Sequence, residues 1–361
     1  MRIAVAISGG VDSLRTAAIL QARGHEVFGL HMLLPADPGA EQREAEPTVA
    51  HKETQVHKLA ARLAIPVHFL DLRESFRDLV IRPFLAAYHR GLTPNPCVLC
   101  NPTVKFGLLL DHGRSLGAER FATGHYARIE PPAAAGGRWR LLRGADERKD
   151  QSYFLYRLSQ AQLAQTLLPL GDSSKEASRR WAEAAGFAPL IEPESQEICF
   201  IPGGHYADFL RRQAASNAGN DDGPIVDRDG TVLGRHHGIF NYTIGQRRGL
   251  GIPSTEPYYV LTIEPETHTV VVGRAGDLNV SECRVREVHW VSIEPSERPI
   301  DAQVRIRNQH RPAAAIIEPT ADDAVRVRFE TPQRAVTPGQ AAVFYQGDLL
   351  LGGGTIAHQE P

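Results

Sequence analysis

Five consecutive apolar residues, Ile3-Ala4-Val5-Ala6-Ile7, end abruptly at Ser8-Gly9-Gly10. A run this short, closed by a turn signal, predicts a strand buried on both faces. Asp12–Arg23 then carries apolar residues at helical spacing, Val27–Leu30 reads as a second strand, Glu53–Leu63 as a helix and Val67–Leu70 as a third strand. Phe106–Leu116 is again helical, and Arg120–Thr123 makes a short strand before Gly124-His125. Strands alternating with helices predict a parallel α/β sheet.

The period changes after about Leu210. Ser216–Gly223 is small, polar and acidic and reads as a linker. Short strands bounded by turns follow: Pro224–Arg228, Thr231–Leu233 across Asp229-Gly230, Tyr258–Ile263 and Thr269–Val272. From about Ser281 the alternation of period two is plain, as in Val325-Arg326-Val327-Arg328-Phe329, and Ala341–Tyr345 and Leu349–Leu351 flank the turn Gln346-Gly347-Asp348. This tail predicts an antiparallel barrel or sandwich. The expected units are 1–210, 211–280 and 281–361. Pro35–Pro47 reads as a loop, Pro131–Gly137 as a hairpin tip, and there is no internal repeat.

Composition narrows the class. A chain of 361 residues, 42% hydrophobic, is long enough for two or three cores. It has no apolar run near the ~20 residues of a membrane span, and Met1–Ile7 is too short for a signal peptide. A cytoplasmic, non-membrane protein is expected, in which four cysteines serve packing, metal binding or catalysis rather than a disulfide scaffold. A formal net charge of −2 gives no global attraction for nucleic acid, although Arg247-Arg248 and Arg305, Arg307 and Arg311 form local clusters.

Ser8-Gly9-Gly10-Val11-Asp12-Ser13 follows a strand and opens a helix. Two glycines admit an anion close to the backbone, and the helix N-terminus adds free N–H groups and its positive dipole end. The motif is neither G-x-x-x-x-G-K-[ST] nor G-x-G-x-x-G. Without a lysine for a γ-phosphate, it suits cleavage between the α and β phosphates. Ser8 and Ser13 can donate to phosphate oxygens, and Asp12 is expected to face Mg²⁺. The loop resembles that of the PP-loop ATP pyrophosphatases, which adenylate an oxygen and release pyrophosphate.

Cys97 and Cys100 lie in Pro94-Asn95-Pro96-Cys97-Val98-Leu99-Cys100-Asn101, and Cys199 lies about a hundred residues on. A redox pair, half a zinc site, and a [4Fe-4S] cluster held by three cysteines with one open iron are all compatible with these residues. Cys283 sits among strand residues and reads as core. His125 falls at a strand end, where α/β sheets place ligands.

The chain resembles the tRNA-specific 2-thiouridylases of the MnmA type over nearly its full length. The motifs that carry this are Ser8–Ser13, GLTPNP (91–96) with LCN and Lys105-Phe106, ATGHYAR (122–128), RGADERKDQSYFL (143–155), ICFI (198–201), TIGQRRGLGI (243–252), VTPGQAAVFY (336–345) and LGGG (351–354). The resemblance implies a PP-loop catalytic domain, a small central domain and a C-terminal β-barrel. It implies ATP- and sulfur-dependent conversion of the wobble uridine, U34, of tRNA to 2-thiouridine, with a cysteine desulfurase or sulfur carrier as donor. It places ATP on Ala6, Ile7, Ser8, Gly9, Gly10, Val11, Asp12 and Ser13, with Met32 and Gly124. It makes Cys100 the nucleophile and Cys199 the persulfide carrier, sets the target base on Asn95, Pro96 and Cys97, and tRNA on Lys149, Asp150, Gln151, Arg307 and Asn308.

Many family members have aspartate where this chain has Cys97. Cysteine is a better soft-metal ligand and a poorer acid. Cys97, Cys100 and Cys199 are therefore expected to ligate a [4Fe-4S] cluster, the alternative being a Cys199 persulfide resolved by Cys100. Asn308 stands where an aromatic is common, and Leu30–Pro35 lacks the usual polar tail around Met32. A different PP-loop enzyme acting on a metabolite would have no use for the barrel. A purely binding protein would show salt-dependent tRNA affinity without pyrophosphate release.

Overall fold

The computed structural model describes residues 1–35, 49–190, 198–201, 209–210, 222–320 and 323–358, with the side chains of 49–52 left aside. The expected loop at 36–47 and the linker at 216–221 lie outside the described residues.

The N-terminal half builds β1 (Arg2–Ala6), β2 (Glu26–Leu33), β3 (Val67–Asp71), β4 (Arg120–Ala122), the hairpin strands β5 (Ala127–Glu130) and β6 (Arg140–Arg143), and a short β7 (Thr166–Leu167). Five of these form a sheet in the order β3-β2-β1-β4-β7, and β1 runs parallel to both β2 and β4. Alternate residues of β1 face opposite layers. Ile3 and Val5 pack with Leu14 and Leu20 of α1 (Val11–Ala22), Val56 and Leu59 of α2 (Val49–Arg62) and Ala182 of α3 (Lys175–Ala184). Ala4 packs with Phe106, Leu109 and Phe121 on the other side. The second face is covered by one continuous helical path from Cys97 to Ser115.

That path begins nine residues before the helix expected at Phe106–Leu116, so Cys97 and Cys100 stand on a helical turn rather than in a loop. Pro96 caps the turn. Pro102 then has no N–H to return to the preceding turn, and Asn101–Leu109 widens into π geometry.

β8 (Asp222–Val226), β9 (Val232–His237), β10 (Tyr259–Glu264) and β11 (Thr269–Gly273) form the central domain in the order β10-β11-β8-β9, around Ile225, Val260, Ile263 and Val270. β12 (Asn279–Trp290), β13 (Ile300–Arg305), β14 (Ala313–Pro319), β15 (Val325–Arg334), β16 (Ala341–Gln346) and β17 (Leu349–Ile356) form an antiparallel barrel. It closes where β12 meets β17, Val285 opposite Ile356, which removes the open edges. Cys283 faces its core with Val285, Val304 and Phe344, and burial pushes its thiol up to about 12.

The barrel is not a loose appendage. β17 pairs with β6, Leu349 opposite Leu142 and Leu350 opposite Leu141. The core on the second face of the N-terminal sheet accordingly includes Val343, Tyr345 and Leu350.

Candidate active site

β1 lies between β2 and β4, and successive connections leave it toward opposite edges of the sheet. The carboxyl end of such a strand is where α/β sheets open a ligand crevice. Ser8–Ser13 occupies that end. Gly9 has φ +88°, and Gly10 caps α1. Ser13 Oγ donates to the Gly10 carbonyl at 2.8 Å and accepts from Ser8 N at 3.2 Å, while Gly10 N donates to Ser8 Oγ at 3.3 Å. The loop is thus held by its own side chains before any anion arrives. Ile7 N donates to Leu30 O at 2.8 Å, tying the base of the loop, just beyond Ala6, to β2.

Asp12 does not wait for a cation. Lys175 Nζ at the start of α3 donates to Asp12 Oδ2 at 2.6 Å, and Tyr126 Oη donates to Asp12 Oδ1 at 2.7 Å. Ser178, 2.7 Å from Tyr126 Oη, accepts from Arg15 at 2.8 Å. Only 6% of the lysine side chain is exposed, so this is a partly buried pair. As placed, Asp12 is neutralised and is not a free magnesium ligand; Mg²⁺ more commonly travels with substrate phosphates than in an all-protein cage. Gly124 lets the strand-end segment come this close, since a Cβ there would lie 2.8 Å from the Asp12 carbonyl carbon.

The second group is the thiols. Cys97 and Cys100 are one turn apart, and Asn95 Oδ1 accepts from Cys97 N at 3.1 Å. Cys100 packs against a cluster that holds Phe76, Phe84, Val104, Phe200 and Ile201, with Met32 at its margin. Phe200 meets Phe76 edge-on at 5.5 Å and Phe84 at 5.6 Å. These contacts set Cys199, next to Phe200, within electrostatic reach of Cys97 and Cys100. Cys97 and Cys199 reach solvent, yet protein crowds their remaining sides. That crowding raises all three thiols, Cys199 to about 12, against the opposing pull of Lys105. The same crowding and the same cation hold half-buried His125 well below its ordinary 6.5, so its ring is neutral near pH 7. Thr123 Oγ1 lies 2.7 Å from His125 Nδ1.

The sequence suggested a [4Fe-4S] ligand set here. Among the described residues no three His, Cys, Asp or Glu side chains gather as a metal site.

The expected tRNA contacts divide. Arg307 is exposed, its guanidinium 3.2 Å from the Arg334 carbonyl. Lys149 is half-buried and has a partner of its own. Asp150 is 3% exposed and accepts from Arg305 Nη1 of the barrel at 2.6 Å. Gln151 Oε1 accepts from Tyr126 N at 3.0 Å. Arg305 also holds the Asn308 carbonyl. Asp150 is therefore buried against the barrel and does not face outward, while half-buried Gln151 braces the Tyr126 backbone.

Comparison with known proteins follows the same division. A tRNA methyl transferase HUP domain model matches residues 1–203, a PRC-barrel domain model of the same name matches 207–274, and an aminomethyltransferase beta-barrel domain model matches 280–356. The tRNA-specific 2-thiouridylase MnmA of Trichlorobacter lovleyi is 47% identical over 358 residues, 98% of this chain and 97% of its own. The chain belongs to the MnmA family. The MnmA of Desulforudis audaxviator is 46% identical, covering 98% of each chain. The U34-tRNA thiolase NcsA of Methanococcus maripaludis, solved with its [4Fe-4S] cluster, is 13% identical with a TM-score of 0.34, covering 60% of this chain and 67% of its own. That likeness carries no cluster across.

In this MnmA-family chain, sequence reading passed over three side chains. Lys105 was noticed only as part of a motif, yet it is the cation that all three thiols and His125 sense. Lys175 and Tyr126 lie far from Asp12 in sequence, and nothing local to Ser8–Ser13 signals them. A lysine directly after the N-cap Ser174, where the helix dipole disfavours cations, was the available hint.

Proposed function

We propose that this chain is an ATP-dependent tRNA 2-thiouridylase that acts on U34, with sulfur carried as a persulfide on Cys199. The reading is supported by Cys199 lying within electrostatic reach of Cys100 and Cys97, beside a cluster that Met32 at the end of β2 also joins. ATP and its Mg²⁺ bind at that loop, which Ala6 and Ile7 enter and which Met32 and Gly124 flank. The flipped uridine enters beside Asn95, Pro96 and Cys97. Its O2 attacks the α-phosphorus, and pyrophosphate leaves. The terminal persulfide sulfur on Cys199 then bonds to C2, and AMP departs with the former O2. Cys100 attacks Cys199 Sγ, breaking the sulfur–sulfur bond and freeing the 2-thio group. The Cys100–Cys199 disulfide that remains is reduced by a dithiol reductant before the next turnover.

Lys105 is the cation available to favour the thiolate that each sulfur step requires. A desulfurase or sulfur-carrier protein loads Cys199, which its exposure permits. Among the described residues no helix is long and apolar enough to cross a membrane. The test is thiolation of an unmodified tRNA transcript with ATP and a persulfide donor, alongside iron analysis of anaerobically purified protein. One AMP and one pyrophosphate per 2-thiouridine, with substoichiometric iron, is the expected result. Activity that tracks iron content and vanishes on its removal would overturn the persulfide route.

A further inference from the structure

The loop that carries the expected base contacts is held from outside its own domain. Thr93 N donates to the Pro338 carbonyl at 2.9 Å, and Gln340 Nε2 donates to the Thr93 carbonyl at 2.8 Å. Both backbone groups of one loop residue are thus taken by the barrel. Gly339, between the two barrel partners, has φ +88°, and a Cβ there would lie 2.8 Å from Thr93 N and 2.9 Å from Leu92 Cβ. The barrel segment is fixed in turn: Gly339 N donates to the Ile356 carbonyl at 2.9 Å, and Ile356 N to the Gln340 carbonyl at 2.9 Å. On the opposite side the loop meets the central domain, where a Cβ on Gly91 would lie 3.3 Å from the Ile263 carbonyl oxygen.

Between Thr93 and Cys97 the chain reads Pro94-Asn95-Pro96. Two prolines fix their own φ and restrict the residues before them. A shift at Thr93 is therefore passed on to Cys97 and Cys100, not absorbed. We propose that Gln340 is a positioning residue for thiolation: its amide donor holds Thr93, and through it sets the Asn95–Cys100 segment against the target base. The inference rests on the proposed thiolation for its kinetic test, and has a second test that does not.

Gln340→Ala removes the donor, and Gln340→Glu keeps size and reach while setting a carboxylate against a carbonyl. Gly339→Ala forces the contact apart. Gly347→Ala is the control, because Gly347 has a similar φ of +58° but nothing within 4 Å of an added Cβ. Expected are kcat for U34 thiolation lowered about 10- to 100-fold in the three contact variants, ATP affinity unchanged, and Gly347→Ala at the wild-type rate. Without ATP or tRNA, iodoacetamide alkylation of Cys97, followed by mass spectrometry, should change at least about threefold in the contact variants alone. If wild-type protein does not thiolate U34, the proposed function fails and the alkylation test still decides this one. Wild-type alkylation and turnover in Gln340→Glu, or Gly339→Ala matching Gly347→Ala, would overturn the assignment.

Discussion

The phosphate loop and the thiol pocket share one sheet edge and are built in opposite ways. Ser8–Ser13 is contiguous, and its hydroxyls and amides bond one another before a ligand binds. Asp12 beside it is closed by Lys175 and Tyr126. The thiol pocket is assembled from Cys97–Lys105 and Ile198–Ile201, held by ring packing around Phe200. Its reactive groups are kept as thiols. A phosphate site works best preorganised, because the same charges meet every nucleotide. A persulfide relay needs its sulfurs dormant until substrate arrives, since an exposed thiolate oxidises.

If the two regions are separable in this way, substitutions should divide cleanly between them. The largest effect is expected from Cys100→Ser and Cys199→Ser. Each should lower single-turnover thiolation by at least about 10³-fold and leave ATP affinity, measured by calorimetry, at the wild-type value. A parallel loss of ATP binding would merge the two regions. Lys175→Met acts on the other side. It leaves the Asp12 carboxylate partly buried without its cation, and should cost up to about 3 kcal/mol in urea unfolding and weaken ATP. Adding Asp12→Asn should restore part of that stability, because the pair is coupled.

How much of this was legible in the sequence follows from the same contrast. The strand at Ile3–Ile7, its glycine turn and the helix after it are local, and period and turn chemistry suffice to find them. Alternation in Val325–Phe329 showed an antiparallel tail and left barrel or sandwich open, and its pairing with β6 was not visible, because Leu141 and Leu142 carry no mark of a partner at Leu349 and Leu350. The helical turn at Cys97 was obscured by Pro94 and Pro96, although Pro96 only caps it. Lys175 and Tyr126 are 163 and 114 residues from Asp12, and Arg305 is 155 from Asp150. Spacing cannot show such pairs, and for the same reason Asp150 read as a tRNA contact although Arg305 holds it indoors.

Two smaller effects sharpen the contrast through pH. The Cys199 thiol is raised to about 12, so its thiolate fraction keeps growing as pH climbs. Its alkylation rate should rise about tenfold per unit from pH 8 to 10 with no plateau, whereas an ordinary thiol levels off above about 8.5. A plateau near pH 9 would mean that the pocket does not hold its sulfur dormant. His125 is shifted the other way, well below 6.5. The unfolded chain takes up this proton below that pH and the folded chain does not, so stability should fall as pH drops below 6.5. His125→Asn should flatten the melting-temperature curve between pH 6.5 and 5 by about 2–4 °C.

The most direct test of the relay is sulfur bookkeeping in one turnover. Protein loaded with isotopically labelled persulfide on Cys199 is mixed anaerobically with ATP and a U34 transcript, then both partners are analysed by mass spectrometry. The account predicts labelled sulfur in 2-thiouridine and one Cys100–Cys199 disulfide for each base converted. Labelled sulfur retained on Cys199 while unlabelled sulfur enters U34, or full conversion with both cysteines still reduced, would contradict it.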